Sequence, residues 1–230
     1  MAGQTYLSEF CAENLTDIAA ALEAGAGRIE LCDNLAVGGT TPSAGVIEQA
    51  VALAHDRGAE VRVIIRPRGG DFVYSEDEFR AMETDIRYAC ANGADGVVLG
   101  CLLPNPSGTG FALDLPGTER LVRVARSLGE MRGREVGVTF HMAFDELAPS
   151  DALAAIDALA DLGVDRVLTH GGPAGTSIED NFDALRACFD RAADRLLVLP
   201  GGGITYENAP AVAEALGAPE LHGTRVVPLG

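Results

Sequence analysis

Residues 79–100, FRAMETDIRYACANGADGVVLG, contain one complete step from a helix to a strand. Gly93 marks the end of the helix, because glycine readily takes the left-handed conformation that terminates helices. The run Gly96–Gly100 that follows is short and apolar, which is typical of a buried strand. The apolar stripe that indicates the helix consists of Phe79, Met82, Ile86 and Cys90.

The same step recurs along the whole chain, and a glycine again precedes the strand at Gly25, Gly58, Gly163 and Gly217. Strands separated by helices form parallel sheets. Eight such units most economically close into one (β/α)8 barrel domain over residues 1–230. A doubly wound open sheet is the alternative, but the GxGxxG fingerprint is missing after the first strand. The candidate strands are Tyr6–Cys11, Arg28–Cys32, Val61–Arg66, Gly96–Gly100, Val136–His141, Arg166–Thr169, Leu196–Leu199 and Glu220–His222.

The end of the chain departs from a standard barrel. Only the residues 223–230 follow the last candidate strand, where a complete barrel would add an eighth helix. We expect this helix to be short or missing. The barrel wall left exposed would then favour a homodimer, in which another subunit covers it.

The composition excludes several classes of function. Asp and Glu number 34 against 17 basic residues, so the net charge is -17. Such a field repels phosphate backbones and anionic membranes, and we expect neither nucleic acid nor membrane as a partner. All 17 basic residues are arginine. Without lysine, Schiff-base aldolase chemistry, pyridoxal phosphate attachment and a Walker-type phosphate loop are excluded.

The cysteines and the N-terminus indicate a cytoplasmic protein with reduced thiols. The five cysteines are an odd number at irregular spacing and include no CxxC pair. The N-terminal residues 1–5 contain no basic segment followed by an apolar stretch, so we predict no signal peptide. Disulfides are rare in the cytoplasm, which agrees with this use of cysteine.

Polar and reactive side chains gather at the carboxyl ends of the candidate strands, where barrel active sites lie. Side chains two residues apart on a strand share a face. Thr139 and His141 are therefore expected to face the barrel axis, because Val136, Val138 and Phe140 would face the helices. Glu9 shares a face with Cys11, and Glu30 shares one with Cys32.

An inward carboxylate needs a partner, because burial of an isolated charge is costly. Arg66, on the next strand, is the expected partner of Glu9 and Glu30. One interpretation is a purely structural ion network inside the barrel. The other is a catalytic or binding pocket, since His141 and Asp145 lie at the same end.

The pocket interpretation assigns roles to individual residues. Glu30, His141 and Asp145 are the candidate catalytic residues, as general acids or bases. An anionic ligand would be held by two groups of residues, because guanidinium groups and glycine amides both bind anions. These anion-binding candidates are Arg66, Arg68, Gly201, Gly202 and Gly203.

Cys11 and Cys32 are the candidate metal ligands. If both point inward, two thiols lie on neighbouring strands. Two thiols alone suit a soft ion of low coordination number, such as Cu(I), better than zinc, which takes four ligands. The alternative is that both cysteines merely pack in the core, as buried cysteines often do.

Several stretches together resemble the copper homeostasis protein CutC family. The most distinctive block is residues 65–75, IRPRGGDFVYS. Residues 28–33, RIELCD, and 38–43, GGTTPS, look like the second-strand signature of that family. The further matching stretches are VTFH at 138–141, AFD at 143–145, PGGG at 200–203 and HG at 222–223.

This resemblance implies a cytoplasmic (β/α)8 barrel with a role in copper handling, and places Cu(I) on Cys11 and Cys32. We therefore predict a copper homeostasis protein whose partner is the copper ion. The alternative is a barrel enzyme, an isomerase, epimerase or lyase, that acts on a small anionic metabolite such as a sugar phosphate. A barrel that only binds a ligand, without turnover, is the third hypothesis.

Overall fold

The computed structural model describes residues 5–106 and 108–229. The N-terminal residues 1–4, on which the prediction about a signal peptide rests in part, lie outside the described residues, as does Gly230. In chain order the strands are β1 (Leu7–Glu13), β2 (Arg28–Cys32), β3 (Glu60–Ile64), β4 (Gly96–Leu99), β5 (Leu102–Pro104), β6 (Phe111–Leu113), β7 (Gly137–Phe140), β8 (Arg166–Thr169), β9 (Leu197–Pro200) and β10 (Glu220–Gly223).

Within the described ranges, seven α-helices connect these strands, and most begin at a residue that suits a helix start. The side chain of Ser75 accepts a hydrogen bond from the Glu78 amide, and the Glu78 side chain accepts one from the Ser75 amide, which is a capping box. The helices are α1 (Ile18–Glu23), α2 (Ala44–His55), α3 (Glu76–Ala91), α4 (Leu115–Arg132), α5 (Pro149–Asp161), α6 (Phe182–Ala192) and α7 (Ala209–Leu216).

Eight parallel strands form a nearly closed barrel, in the order β10, β1, β2, β3, β4, β7, β8, β9. The predicted (β/α)8 barrel is confirmed. An antiparallel hairpin of β5 and β6 lies outside the barrel, between β4 and α4. The sequence analysis missed this hairpin because each of its strands is only three residues long, too short for an alternating pattern to show.

Alternation along the strands creates two separate cores. Val97, Val138 and Phe140 point outward and pack with the helices in the large apolar core. Cys11 and Cys32 point inward and form a small separate cluster with Ile64. The condition stated for the two-thiol site, that both cysteines point inward, is therefore met, and the barrel axis holds the polar residues.

The end of the chain differs from a standard barrel. Within the described residues no helix follows β10, and residues 224–229 are irregular, with an isolated bridge between Thr205 and Arg225. This agrees with the expectation of a short or missing eighth helix. The homodimer that this expectation favoured stays a prediction. In the part of the chain that the structure describes, none of the helices has the length and apolar character that a membrane span requires.

Candidate functional site

A network of buried charges fills the barrel between β1, β2 and β10. Glu9 is 1% exposed and accepts hydrogen bonds from Arg28 Nε and, at 2.8 Å, from His222 Nδ1. Arg28 also pairs with Glu220, which accepts a 2.8 Å hydrogen bond from Arg166 Nε. Burial alone would raise the pKa of Glu9, but the charge of Arg28 and the hydrogen bond from His222 lower it well below its usual value.

The expectation that Arg66 pairs with the inward carboxylates is wrong. Glu9 instead pairs with Arg28, which lies directly beside it in the register of β1 and β2. Arg66 follows the end of β3, at the mouth of the barrel, and its guanidinium donates to backbone carbonyls. The partner depends on strand register, which the pattern of a single strand does not contain.

Four possible metal ligands meet in the barrel above this network. The Sγ atoms of Cys11 and Cys32 are 4.0 Å apart. His222 Nε2 lies 3.5 Å from a carboxylate oxygen of Glu30. Ligand atoms of Cys11, Glu30 and His222 all lie within 4.8 Å of one another, and these three residues are buried. Together with the second thiol, they offer two sulfur atoms, one imidazole nitrogen and one carboxylate oxygen.

The electrostatics of this cluster favour a thiolate next to an imidazolium. The hydrogen bond from Cys32 lowers the pKa of Cys11 well below that of a free thiol, and the neighbouring His222 adds to the effect. Burial would lower the pKa of His222, but the charge of Glu30 and the hydrogen bonds to Cys11 and Glu9 raise it well above its usual value. Burial raises the pKa of Glu30.

The two thiols of the cluster contact each other directly. Their Sγ atoms are 4.0 Å apart, which is the distance of a thiol–thiol hydrogen bond. His222 supplies the nitrogen donor beside Cys11 and Glu30.

His222 is the residue whose importance the sequence analysis missed. The sequence analysis names it only as the end of the last candidate strand and within the matching stretch HG at 222–223. It reaches the cysteines because barrel closure pairs β10 with β1, although Glu9 and His222 are 213 positions apart. The available signal was the spacing of Glu220 and His222. Residues two apart on a strand share a face, so both side chains point into the barrel.

His141 and Arg66 form a second polar group at the mouth. His141 Nδ1 accepts a hydrogen bond from the Ala143 amide, so the proton of the neutral ring lies on Nε2. Burial and the charge of Arg66 lower the pKa of His141 to about 3. The Phe72 ring lies between them, 5.0 Å from the His141 ring and 4.7 Å from the Arg66 guanidinium.

The remaining predicted site residues are not all brought together. Asp145 accepts hydrogen bonds from Thr169 Oγ1 and from the amides of His170 and Gly171, so it holds the end of β8 in place. Arg68 is partly exposed and already paired with Glu78 and Asp71.

The glycine stretch Gly201–Gly203 follows β9 but does not reach the next helix. Helix α7 begins only at Ala209, so the amides of this stretch are not at its N-terminus. A Cβ atom at Gly201 would lie 3.2 Å from the His222 ring. This glycine therefore gives His222 the space that it occupies beside β9, and its role in binding an anion stays a prediction.

The low pKa of His141 predicts a specific dependence of stability on pH. The unfolded chain protonates this histidine near pH 6.5, whereas the folded protein keeps it neutral down to about pH 3. The folded state is therefore favoured above pH 6.5, and this contribution is lost as the pH falls towards 3. Relative to His141→Gln, we expect the wild type to lose about 1.4 kcal/mol per pH unit below about pH 6.

Urea unfolding of both proteins between pH 7 and pH 5 measures this difference, because contributions from other titrating groups cancel between them. Parallel stability curves for the wild type and His141→Gln would show that His141 titrates normally in the folded protein.

Comparisons with known proteins agree with the fold and show the family. The CutC family model matches residues 6–227. A CutC family protein of Enterococcus faecalis is 51% identical over 221 residues, which cover 96% of this chain and 100% of that protein. A copper homeostasis protein CutC homologue of Mus musculus is 40% identical over 96% of this chain and 74% of that protein. The crystal structure of a CutC protein from Streptococcus agalactiae superimposes with a TM-score of 0.88 at 42% identity, over 96% of this chain and 100% of that one.

Proposed function

Because the chain belongs to the CutC family of copper homeostasis proteins, we propose that it binds one Cu(I) ion between Cys11 and Cys32, with His222 as the third ligand. The observation that carries this proposal is the cluster of two thiols and one imidazole on three neighbouring strands of one buried site. Thiolates are the ligands that select Cu(I) from harder ions.

The lowered pKa of Cys11 supports the release of its proton when a metal binds, whereas the metal must displace the protons of Cys32 and His222, whose pKa values are raised. Metal ligands must lose their protons, so a thiol with a lowered pKa gives up its proton at a smaller cost. Glu9 accepts a hydrogen bond from His222 Nδ1, which leaves Nε2 directed towards Glu30 and Cys11. A carboxylate on the far nitrogen of a metal-bound histidine fixes the ring and strengthens its binding.

The proposal is tested by titration of the whole chain with Cu(I) under anaerobic conditions, against a chromogenic chelator. We expect one tightly bound ion per chain, and X-ray absorption of the complex should show two sulfur ligands and one nitrogen ligand. A parallel titration with Zn²⁺ provides the comparison. Copper bound without sulfur ligands, or a site that prefers Zn²⁺, would contradict the proposal.

The alternative hypothesis of an enzyme acting on a small anionic metabolite is not favoured by these relatives, whose names refer to the CutC family and to copper homeostasis. The catalytic roles of Glu30, His141 and Asp145 stay predictions. The structure separates these residues. Glu30 lies among the candidate metal ligands, whereas Asp145 accepts hydrogen bonds from backbone amides at the end of β8.

A further inference from the structure

A cavity of about 760 Å³ opens at the mouth of the barrel, between the loops after β3, β7 and β8 and the helices α5 and α6. Its walls are mostly apolar and include Phe72, Phe144, Leu153 and Ala187. Neither the two cysteines of the metal cluster nor His222 line this cavity. It is large enough for a small organic molecule and is separate from the proposed copper site.

Arg66 is the buried cation in the wall of this cavity. It is only 3% exposed, and no carboxylate among the described residues forms an ion pair with it. Its Nη1 donates to the carbonyls of Val37 and Gly39, and its Nη2 donates to the carbonyl of Gly70. Its Nε has no hydrogen-bond partner within the described part of the chain. A buried charge without a counter-charge is costly, and an anion in the cavity would remove that cost.

Two more buried donors near Arg66 also lack partners among the residues that the structure describes. They are the Nε2 of His141 and the hydroxyl of Thr139, both on the inward face at β7. His141 Nε2 carries the ring proton, because Nδ1 accepts the Ala143 amide. Buried polar groups are rarely left unpaired, and these can all donate. Neither His141 nor Thr139 lines the cavity, so Arg66 is the cation that a ligand there would contact.

The acidic residues in the same wall do not oppose an anion at Arg66. The carboxylate of Asp145 is occupied by the Thr169 hydroxyl and by the amides of His170 and Gly171. Glu146 is exposed to solvent at the edge of the cavity. Both carboxylates therefore have their charge compensated by donors or by water.

From this arrangement we propose that the cavity binds a small organic anion, whose carboxylate or phosphate group lies on Arg66 and whose apolar body fills the pocket between α5 and α6. A carboxylate and a phosphate both accept hydrogen bonds from a guanidinium in the same way. The apolar walls exclude a ligand that is charged over its whole surface, such as inorganic phosphate, as the best occupant.

The test uses calorimetric titration of the full chain with benzoate and phenyl phosphate, and with benzamide as the neutral counterpart of benzoate. We expect at least one of the two anions to bind at a single site, at least about tenfold more tightly than benzamide. The anion that binds more tightly shows whether the site prefers a carboxylate or a phosphate group. Equal binding of benzamide, or no binding of either anion in the millimolar range, would overturn the proposal.

Two variants locate the binding. Arg66→Gln removes the cation, and we expect it to weaken anion binding by about tenfold or more. Because Arg66 also holds the loops of Val37 and Gly70, Ala187→Leu is the second variant, which fills the apolar end of the cavity and leaves Arg66 in place. Arg80→Gln, on the exposed face of α3, is the control for a change of one charge. Anion binding unchanged in both Arg66→Gln and Ala187→Leu would also overturn the proposal.

Discussion

Cu(I) binding should be lost when both cysteines of the metal cluster are replaced, in the variant Cys11→Ser with Cys32→Ser. Serine keeps the size of the side chain but removes the soft thiolate that Cu(I) requires. We expect affinity to fall by more than the roughly 10- to 100-fold that the loss of a supporting residue costs in metal sites. The competition titration with a chromogenic chelator measures the change.

The chain provides a matched control for this variant. Cys90 in α3 and Cys188 in α6 are also buried, but both pack in the large apolar core outside the barrel axis. The variant Cys90→Ser with Cys188→Ser should retain the binding of one ion. If both double variants bind Cu(I) like the wild type, the two thiols are not ligands. If both lose binding, the loss reflects damage to the fold.

Arg28→Met should destabilise the protein strongly. Arg28 is 1% exposed and contacts the carboxylates of Glu9 and Glu220 inside the barrel. Methionine fills a similar volume, but it leaves these two carboxylates with less positive charge in a buried place. Removal of one partner from a buried ion pair typically costs about 3–5 kcal/mol. Urea unfolding, read as a change in the midpoint at constant slope, measures the loss.

Arg195→Met is the control for the loss of an arginine with two carboxylate partners. Arg195 pairs with Asp157 and Asp161 at 2.7 Å each, but all three side chains are exposed or partly exposed. Ion pairs at the surface contribute about 0–1 kcal/mol. Similar losses for Arg28→Met and Arg195→Met would show that burial does not strengthen the network.

A second replacement tests the reason for the effect of Arg28→Met. When Glu9→Gln is added, one of the two uncompensated charges is removed, and part of the stability should return. The two changes are in contact, so their effects should not add. Additive losses would mean that the arginine acts by packing and not by charge.

The sequence predicted most of the fold because its signals are local. The glycines before five of the candidate strands and the helical stripe from Phe79 to Cys90 depend only on neighbouring residues, and the structure confirms the barrel that they indicate. The bounds of the strands differ by one or two residues, as for β1, which extends to Glu13. The bounds are harder to predict because the end of a strand depends on hydrogen bonds to the strands beside it as well as on its own residues.

Alternation along a strand is also local, so the sequence by itself determined that Glu9 shares a face with Cys11, and Glu30 with Cys32, while the structure shows that this face is the inward side of the barrel. Only the tertiary structure decided which residues meet there. Arg28, and not Arg66, became the partner of Glu9, and His222 joined the cysteines across 213 positions of chain. The physical reason is that barrel closure and strand register bring these atoms together, and neither is contained in the pattern of any one segment.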